Sequence, residues 1–254
     1  MNYPLTSNVL VSIVSHNQDF LVANLLEDLS KLETSISILV TDNLPPTDQY
    51  PVEGTSRIKR KTNRMPKGFA ENHNSAFSHC GSPFFCVVNP DVRFLTNPFP
   101  QLLDCFADPR VGVAAPLVLA SSGNLEDSAR SFPTPRQLLA KFLRIKMDIS
   151  HNTTRHPVLV DWVAGMFMLF RAEAFRDVGG FDEKFYLYYE DVDICARLWR
   201  AGWKVIYYPG ISIIHDAQRT SRHDPRYMRW HATSMLRYFW KHYGRLPKRS
   251  DPLT

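Results

Sequence analysis

Three short apolar runs, at residues 9–14, 36–41 and 84–88, constrain the fold of this chain more than any other feature. The first is continuous and rich in β-branched residues, as a strand buried on both faces must be. Beyond it, Val22, Leu25, Leu26 and Leu29 recur at helical spacing. Asp42-Asn43-Leu44-Pro45-Pro46 then stops the second run with loop formers. Residues 57–61 read as a short third strand, and 68–79 as a helix ahead of the run at 84–88. This β-α-β-α alternation predicts an open α/β fold with a mainly parallel sheet. Ligands of such sheets sit beyond the carboxyl ends of the strands. His16, Asp42 and Asp91 each fall just past a strand end, so one crevice gathers them.

The second half is less regular. Residues 97–107 and 136–146 look helical, and 111–119 read as a strand interrupted by Pro116. Residues 121–134 are rich in small, polar and proline positions, and 148–156 have almost no apolar content, so both read as loops. With 254 residues and 44% hydrophobic content, the chain can form one large domain or two closely joined halves. Cys80, Cys86, Cys105 and Cys195 make no Cys-x-x-Cys pair and are expected as free thiols in a reducing cytoplasm. No export signal is legible at the N-terminus. The longest apolar runs, 111–120 and 162–170, are about half the ~20 residues that span a bilayer. A soluble or surface-bound protein is expected, not an integral one.

Residues 179–202 run Gly-Gly-Phe-Asp-Glu-Lys-Phe-Tyr-Leu-Tyr-Tyr-Glu-Asp-Val-Asp-Ile-Cys-Ala-Arg-Leu-Trp-Arg-Ala-Gly. Glu190, Asp191 and Asp193 therefore lie in aromatic and aliphatic surroundings, where a carboxylate is costly to desolvate unless something balances it. Two readings are open. The acids could open a helix whose buried stripe is Ile194, Cys195 and Leu198. Alternatively, one of them is a general base whose surroundings tune its pKa. Capping explains one acid in a first turn better than it explains three behind Phe185, Tyr186, Tyr188 and Tyr189.

This stretch resembles the Gly-Gly-Phe-Asp-Glu…Glu-Asp-x-Asp…Arg…Ala-Gly segment of family 2 glycosyltransferases, most closely the bacterial rhamnosyltransferase-like branch. Four other places agree in order: Val11-Ser-Ile-Val-Ser-His-Asn17, Thr41-Asp-Asn43, Gly68-Phe-Ala-x-x-x-Asn74 and Val88-Asn-Pro-Asp91. Asp161-Trp-Val-Ala-Gly-Met-Phe-Met-Leu-Phe-Arg171 leads into the acidic stretch and His215 follows it, so the similarity covers residues 9–216. The resemblance implies the GT-A nucleotide-diphosphosugar transferase fold, a mainly parallel central sheet flanked by helices, with a basic helical C-terminal extension. It divides the chain into a nucleotide-binding half (1–91), an acceptor half (92–216) and the extension (217–254). The implied reaction is inverting transfer of L-rhamnose from dTDP-L-rhamnose to a polyprenyl-diphosphate-linked saccharide, in cell-surface polysaccharide (O-antigen, lipopolysaccharide) assembly. The alternatives are another hexose from a UDP-sugar, or an inactive sugar-nucleotide-binding protein of the same fold.

By the same resemblance, Asp191 is the catalytic base, with Glu190 supporting it or contacting the sugar. Ser15, His16, Asn17 and Asp42 would hold the base and ribose, Asp42 accepting from the imide N–H. Gly68, Phe69, Asn72 and Asn74 would form the next nucleotide-sugar loop, where a helix N-terminus suits an anion. Four residues separate Asn63 from Gly68 where family members usually have one. Asp161, Trp162 and Gly165 would line the acceptor and sugar pocket, although Trp162 reads equally as core. Asp91 and His215 would hold a divalent cation, Mg2+ or Mn2+, the imidazole suiting Mn2+ better. Taken alone, Asn89-Pro90-Asp91 reads as a turn, and a histidine after a strand is more often structural. Asn89 stands where the family's metal motif has its first acid and is expected to hydrogen-bond the sugar or ribose.

Net charge is only +5, yet Arg219, Arg222, Arg226, Arg229, Arg237, Lys241, Arg245, Lys248 and Arg249 crowd beyond His215. On a helix over 225–243, Met228, Ala232, Met235 and Phe239 make one apolar stripe, opposite Arg226, Trp230, Arg237 and Lys241. The pattern predicts docking by the aliphatic stripe, with arginine and tryptophan facing an anionic membrane surface. A merely solvated face is the other reading. No nucleic-acid motif accompanies the patch, so no nucleic-acid partner is expected. The expected location is the cytoplasm, peripherally on the inner face of the cell membrane.

Overall fold

A computed structural model describes residues 8–45, 57–126, 128–135, 154–215 and 224–247. In chain order the elements are β1 (Val9–Ser15), α1 (Asp19–Ser30), β2 (Ile36–Asp42), β3 (Ile58–Thr62), α2 (Phe69–Phe77) and β4 (Phe84–Val88). Next come β5 (Val92–Arg93), α3 (Phe99–Asp104), β6 (Val111–Ala120), β7 (Ala129–Arg130), β8 (Val158–Leu159), β9 (Trp162–Val163) and β10 (Phe167–Arg171). The last are α4 (Ala172–Asp177), α5 (Glu190–Arg200), β11 (Lys204–His215) and α6 (Pro225–His242). The three apolar runs became β1, β2 and β4, each almost wholly buried, as their composition requires.

Among the described residues, one sheet runs in the order β3-β2-β1-β4-β10-β6-β11-β5, with β8 on β11. β1 is parallel to β2 and β4, β2 to β3, and β6 to β11. β10 is antiparallel to both β4 and β6. The inversion sets Phe167, the first residue of β10, opposite Val88, the last of β4, so the residues before β10 arrive at the carboxyl edge of the parallel strands. β5 pairs with the end of β11, His215 lying opposite Val92.

Alternate residues of the central strands feed two cores, as the period of two requires. Val9, Val11 and Ile13 pack with Val22, Leu25 and Leu29 of α1 and with Phe99 and Leu102 of α3. Leu10, Phe85, Met168 and Phe170 pack on the other face with Phe175, Phe181, Val192 and Leu198. Pro116 does not interrupt β6. The irregularity falls on its neighbour, whose pairing jumps from Tyr208 to Ser212 beside Pro116, where no N–H is available to the ladder. The stretch read as a loop at 121–134 contains β7, paired with β9. The helix expected at 136–146, and most of the loop at 148–156, lie outside the described residues.

α6 forms where the sequence pattern puts it, opened by the Asp224 carboxylate accepting from Arg226 N, with Pro225 in the first turn. Its docking face is only partly the one read from the sequence: Phe239 packs on the core and Met235 is half-buried, but Met228 and Ala232 are exposed. Ser234, Tyr238 and His242 are buried, while Met228, Leu236 and Trp240 stand exposed. Trp230 and Lys241, expected outside, turn inward. The Trp230 ring lies 4.8 Å from that of Tyr186, and Lys241 Nζ is 2.6 Å from Asp182 and 2.7 Å from Asp193. His242 Nε2 and Arg197 Nε reach the same Asp193 carboxylate at 2.8 and 2.7 Å. The reason is electrostatic. Asp193 is 0% exposed, and a carboxylate so deep must be paired, so cations of α6 turn to it in place of aliphatic side chains. Burial alone would raise its pKa, but the His242 hydrogen bond and the charges of Arg197 and Lys241 hold it far below the carboxylate range.

A depressed folded pKa contributes stability that is present above the unfolded value of 3.8 and lost as the pH falls below it. Removing the carboxylate at neutral pH leaves its cations uncompensated. Asp193→Ala is therefore expected to cost about 3–5 kcal/mol in denaturant unfolding. Asp182→Ala, at a more exposed pair, should cost less than about 1 kcal/mol. Equal losses in the two variants would contradict this account of α6.

Candidate active site

The three acids of the 179–202 stretch divide by environment. Tyr188 and Tyr189 precede them with φ of 70° and 67°, a left-handed conformation that costs side-chain-bearing residues about 1–3 kcal/mol each. α6 holds this turn. Ser234 Oγ donates to Leu187 O at 2.8 Å, and the rings of Tyr188 and Tyr189 lie 5.3 and 5.5 Å from His231. Tyr189 is the N-cap of α5 and offers no side-chain cap. Glu190 and Asp191 open the helix in its first turn over the buried stripe Ile194, Cys195 and Leu198, but neither fills the N-cap position.

Asp191 Oδ2 accepts from Gly165 N at 3.0 Å and Oδ1 from Val192 N at 2.8 Å. Burial raises its pKa, and these N–H groups offset part of the rise. Glu190 is buried, with Oε2 lacking any hydrogen-bond partner. Burial first, and then the neighbouring Asp191 charge, push it well above the usual carboxylate range. Gly165 permits the approach: a Cβ there would stand 3.2 Å from Phe69 Cζ and 3.7 Å from Asp191 Oδ2.

From Gly165 the site continues along the sheet edge. Met166 O accepts from Asn89 N at 3.0 Å, and Asn89 O from Val92 N at 3.2 Å. Asn89-Pro90-Asp91 is thus a turn, and the turn delivers Asp91 to His215. His215 Nε2 is 3.3 Å from Asp91 Oδ1, and Nδ1 is 2.7 Å from Glu126 Oε2. Burial would lower the His215 pKa, but the Asp91 and Glu126 carboxylates reverse that and raise it. Asp91 Oδ1 is nonetheless buried without a hydrogen bond. A buried carboxylate oxygen whose partner is an imidazole 3.3 Å away fits a divalent cation held between the two. Among the described residues, no three His, Cys, Asp or Glu side chains close a cation site by themselves. Glu126 escaped the sequence reading because it lies 89 residues from its partner in a polar loop, with no spacing to mark it.

On the nucleotide side, Ser15 and Asp42 end β1 and β2, opposite each other in register. Ser15 Oγ accepts from Gln18 N at 3.2 Å, across a loop in which His16 is exposed and Asn17 has φ of 58°. The Asp42 carboxylate takes a two-pronged contact from Arg60, Nε at 2.7 Å and Nη2 at 2.8 Å. Asn43 Oδ1 accepts from Asn63 Nδ2 at 3.0 Å and Lys67 N at 2.7 Å, and Asn63 Nδ2 also reaches Asn72 Oδ1 at 2.7 Å. Asn63 therefore belongs to this loop despite its spacing. Two sequence expectations change here. Asn72 is buried and its amide holds the carbonyls of Lys67 and Gly68. Asn74 turns away to brace Phe181, accepting from its N–H at 2.9 Å and donating to its carbonyl at 2.8 Å. Asn72 thus shapes the loop from behind, and Asn74 ties α2 to the segment at Phe181. Gly68 is needed because a Cβ would lie 2.7 Å from Tyr186 O, and Phe69 N already donates to that oxygen at 2.9 Å.

Asp161 and Trp162 organise the remaining wall. Asp161 Oδ2 accepts from Phe132 N at 2.8 Å, and Trp162 Nε1 donates to Ser131 O at 3.0 Å. Both tie 128–132 to the strand leading into Gly165.

The strained turn and its acid-bearing helix thus join, through Gly165, the same sheet edge that carries the Asp91–His215 pair. A family described as glycosyl transferase family group 2 matches residues 90–244. The N-acetylglucosaminyl-diphospho-decaprenol L-rhamnosyltransferase of Mycobacterium tuberculosis is 30% identical over 220 residues, covering 76% of this chain and 70% of that protein. The rhamnosyltransferase WbbL of Escherichia coli K12 is 28% identical over 247 residues, 91% of this chain and 92% of WbbL. Among solved structures, GalNAc-T7 with UDP, GalNAc and Mn2+ superposes with a TM-score of 0.70 at 14% identity, over 92% of this chain and 48% of that one. This chain thus spans about half of that protein, and the likeness concerns the fold. The chain belongs to the family 2 glycosyltransferases and resembles their rhamnosyltransferases.

The state of Glu190 can be checked without substrate. Its folded pKa lies above the unfolded value of 4.5, so its ionisation opposes folding, and stability falls as pH rises from there through the folded value. Glu190→Gln removes that penalty. The variant is expected to melt above the wild type at neutral pH and to match it below about pH 4. A lower melting temperature at neutral pH would mean the carboxylate is paired after all.

Proposed function

We propose that this enzyme transfers L-rhamnose from dTDP-L-rhamnose to a lipid-linked saccharide in cell-surface polysaccharide assembly, inverting the anomeric centre. Two rhamnosyltransferases among its relatives support the sugar, and the diphospho-decaprenol in one of their names supports the acceptor class. The observation that carries the mechanism is the path Asp191–Gly165–Met166–Asn89–Pro90–Asp91, each link a hydrogen bond or a chain neighbour. It sets a raised-pKa carboxylate and a candidate diphosphate site on one edge.

Asp191 receives the acceptor hydroxyl proton on a carboxylate oxygen as that hydroxyl's oxygen attacks the anomeric carbon. Glu190 lies beside Asp191, its own pKa raised by burial and by the Asp191 charge, so the pair resists carrying two charges at once. A base opposite the leaving group makes the reaction a single displacement. Asp42, oriented by Arg60, accepts from the thymine imide, with Ser15, His16 and Asn17 alongside. Gly68 and Phe69 carry the loop past the sugar, Asn89 contacts ribose or sugar, and Asp161, Trp162 and Gly165 bound the acceptor pocket. Asp91 and His215 would hold a divalent cation, Mg2+ or Mn2+, with Glu126 fixing the imidazole through Nδ1. When bound, it would neutralise charge on the departing diphosphate.

The nucleotide half then ends at Asp91, the acceptor half at His215–Asp216, and residues 217–254 form an extension. Among the described residues no helix is long and apolar enough to cross a membrane. A lipid-linked acceptor would bring the enzyme to the membrane surface from the cytoplasmic side.

Turnover against a panel of nucleotide-sugars tests this reading. dTDP-L-rhamnose should be consumed fastest, excess chelator should abolish the reaction, and Mn2+ or Mg2+ should restore it. Asp91→Ala and His215→Ala should weaken Mn2+ binding in calorimetry. Faster turnover of a UDP-hexose would replace the donor. Full activity in chelator would remove the cation, and nucleotide binding without turnover of any donor would favour an inactive binding protein.

A further inference from the structure

The inward turn of Lys241 and Trp230 leaves the other side of α6 bare. Met228, Leu236, Trp240 and Tyr243 are 64%, 65%, 89% and 84% exposed. With Ala232 they fall at intervals of four, four, four and three residues, which is one stripe along the helix and its end. Arg229 and Arg237 stand exposed beside it. An apolar row of this size on a surface helix marks an interaction site.

We propose that this outward stripe, Met228-Leu236-Trp240-Tyr243 with Arg229 and Arg237, is a docking surface for an anionic lipid bilayer. Three observations select that occupant. Exposed tryptophan and tyrosine beside aliphatic side chains suit the level of the headgroups, half apolar and half wet. The flanking charges are both positive, and Asp224 is the only acid between Asp216 and Asp251. It closes on Arg226 at the far end of the helix. A second copy of the chain fits poorly, because a two-fold contact through one helix would bring the arginines of both copies together.

The inner face of the same helix gives the docking a purpose. It holds Tyr186 through Trp230, Leu187 through Ser234, and Asp193 through Lys241 and His242. One helix diameter, about 10 Å, therefore separates the lipid-facing stripe from the segment that carries Glu190 and Asp191. This purpose rests on the lipid-linked acceptor of the proposed reaction, whereas the binding itself does not.

Co-sedimentation of the full chain with vesicles of phosphatidylglycerol and phosphatidylcholine tests the proposal. The wild type should bind, lose binding as salt rises, and ignore pure phosphatidylcholine. Arg229→Glu with Arg237→Glu should weaken partitioning more than about 20-fold, since each arginine near such a surface is worth about five-fold. Leu236→Ser with Trp240→Ser should weaken it more than about ten-fold. Both variants should keep the wild-type melting temperature and the rate with a short water-soluble acceptor. Brominated lipid should quench the fluorescence of the bound wild type, and the milder Trp240→Phe variant should lose most of that quenching. A wild type that ignores anionic vesicles, variants that bind as well as it does, or quenching unchanged in Trp240→Phe would each overturn the docking surface. So would variants that abolish self-association and leave vesicle binding intact, which would point to a second copy. None of these results touches the transferase reading, which fails only if the soluble-acceptor reaction is absent from the wild type.

Discussion

The burial of Asp193 is the constraint on which the rest of this structure depends. A carboxylate with no exposed surface must be met by cations, and it is met from its own helix by Arg197 and from α6 by Lys241 and His242. That pairing fastens α6 over the turn at Tyr188 and Tyr189 and so holds two residues in an unfavourable backbone conformation. The strained turn in turn decides where α5 begins, and its first residues are Glu190 and Asp191. Three acids close in sequence thus receive three treatments: one fully paired, one met by two backbone N–H groups, one with an oxygen left unpartnered. Only the paired acid favours the folded state. The other two oppose it, as expected of groups retained for chemistry.

The antiparallel strand β10 has comparable weight for the site. Had it run parallel to β4, the segment from Asp161 to Gly165 would have entered at the opposite edge of the sheet. Running antiparallel, it delivers Gly165 to Asp191 and Met166 to Asn89 in consecutive residues. The same logic applies to β5 and β11, whose pairing brings His215 beside Asp91. Residues far apart in the chain are joined here by register, not by mobile loops.

Much of this was legible in the sequence, for physical reasons. The buried strands announced themselves by continuous β-branched composition, and their limits put His16, Asp42 and Asp91 at or just past strand ends. The α6 boundaries followed from Asp224, Pro225 and the helical repeat. Its orientation followed only in part: Phe239 of the aliphatic stripe packs on the core, but a buried charge elsewhere in the chain rotates the helix so that Met228 and Ala232 face outward. Glu126 and Arg60 were invisible for a related reason: each acts through a partner set by tertiary pairing and not by spacing. Asn74 was misdirected by a motif that fixes a position but not the direction in which its amide turns. Pro116 was read as a break in its own strand, when the sheet absorbed it as a bulge in the next.

The central claim is that Asp191, raised by burial and held by Gly165 and Val192, takes the acceptor proton. Single-turnover transfer by Asp191→Asn, with donor affinity measured on the same preparation, tests it most directly. The substitution keeps the size of the side chain and removes its proton affinity. The account predicts a chemical step slower by about 10²–10⁴-fold with donor binding unchanged. A step near the wild-type rate, with donor bound as before, would contradict it and pass the role of base to another group.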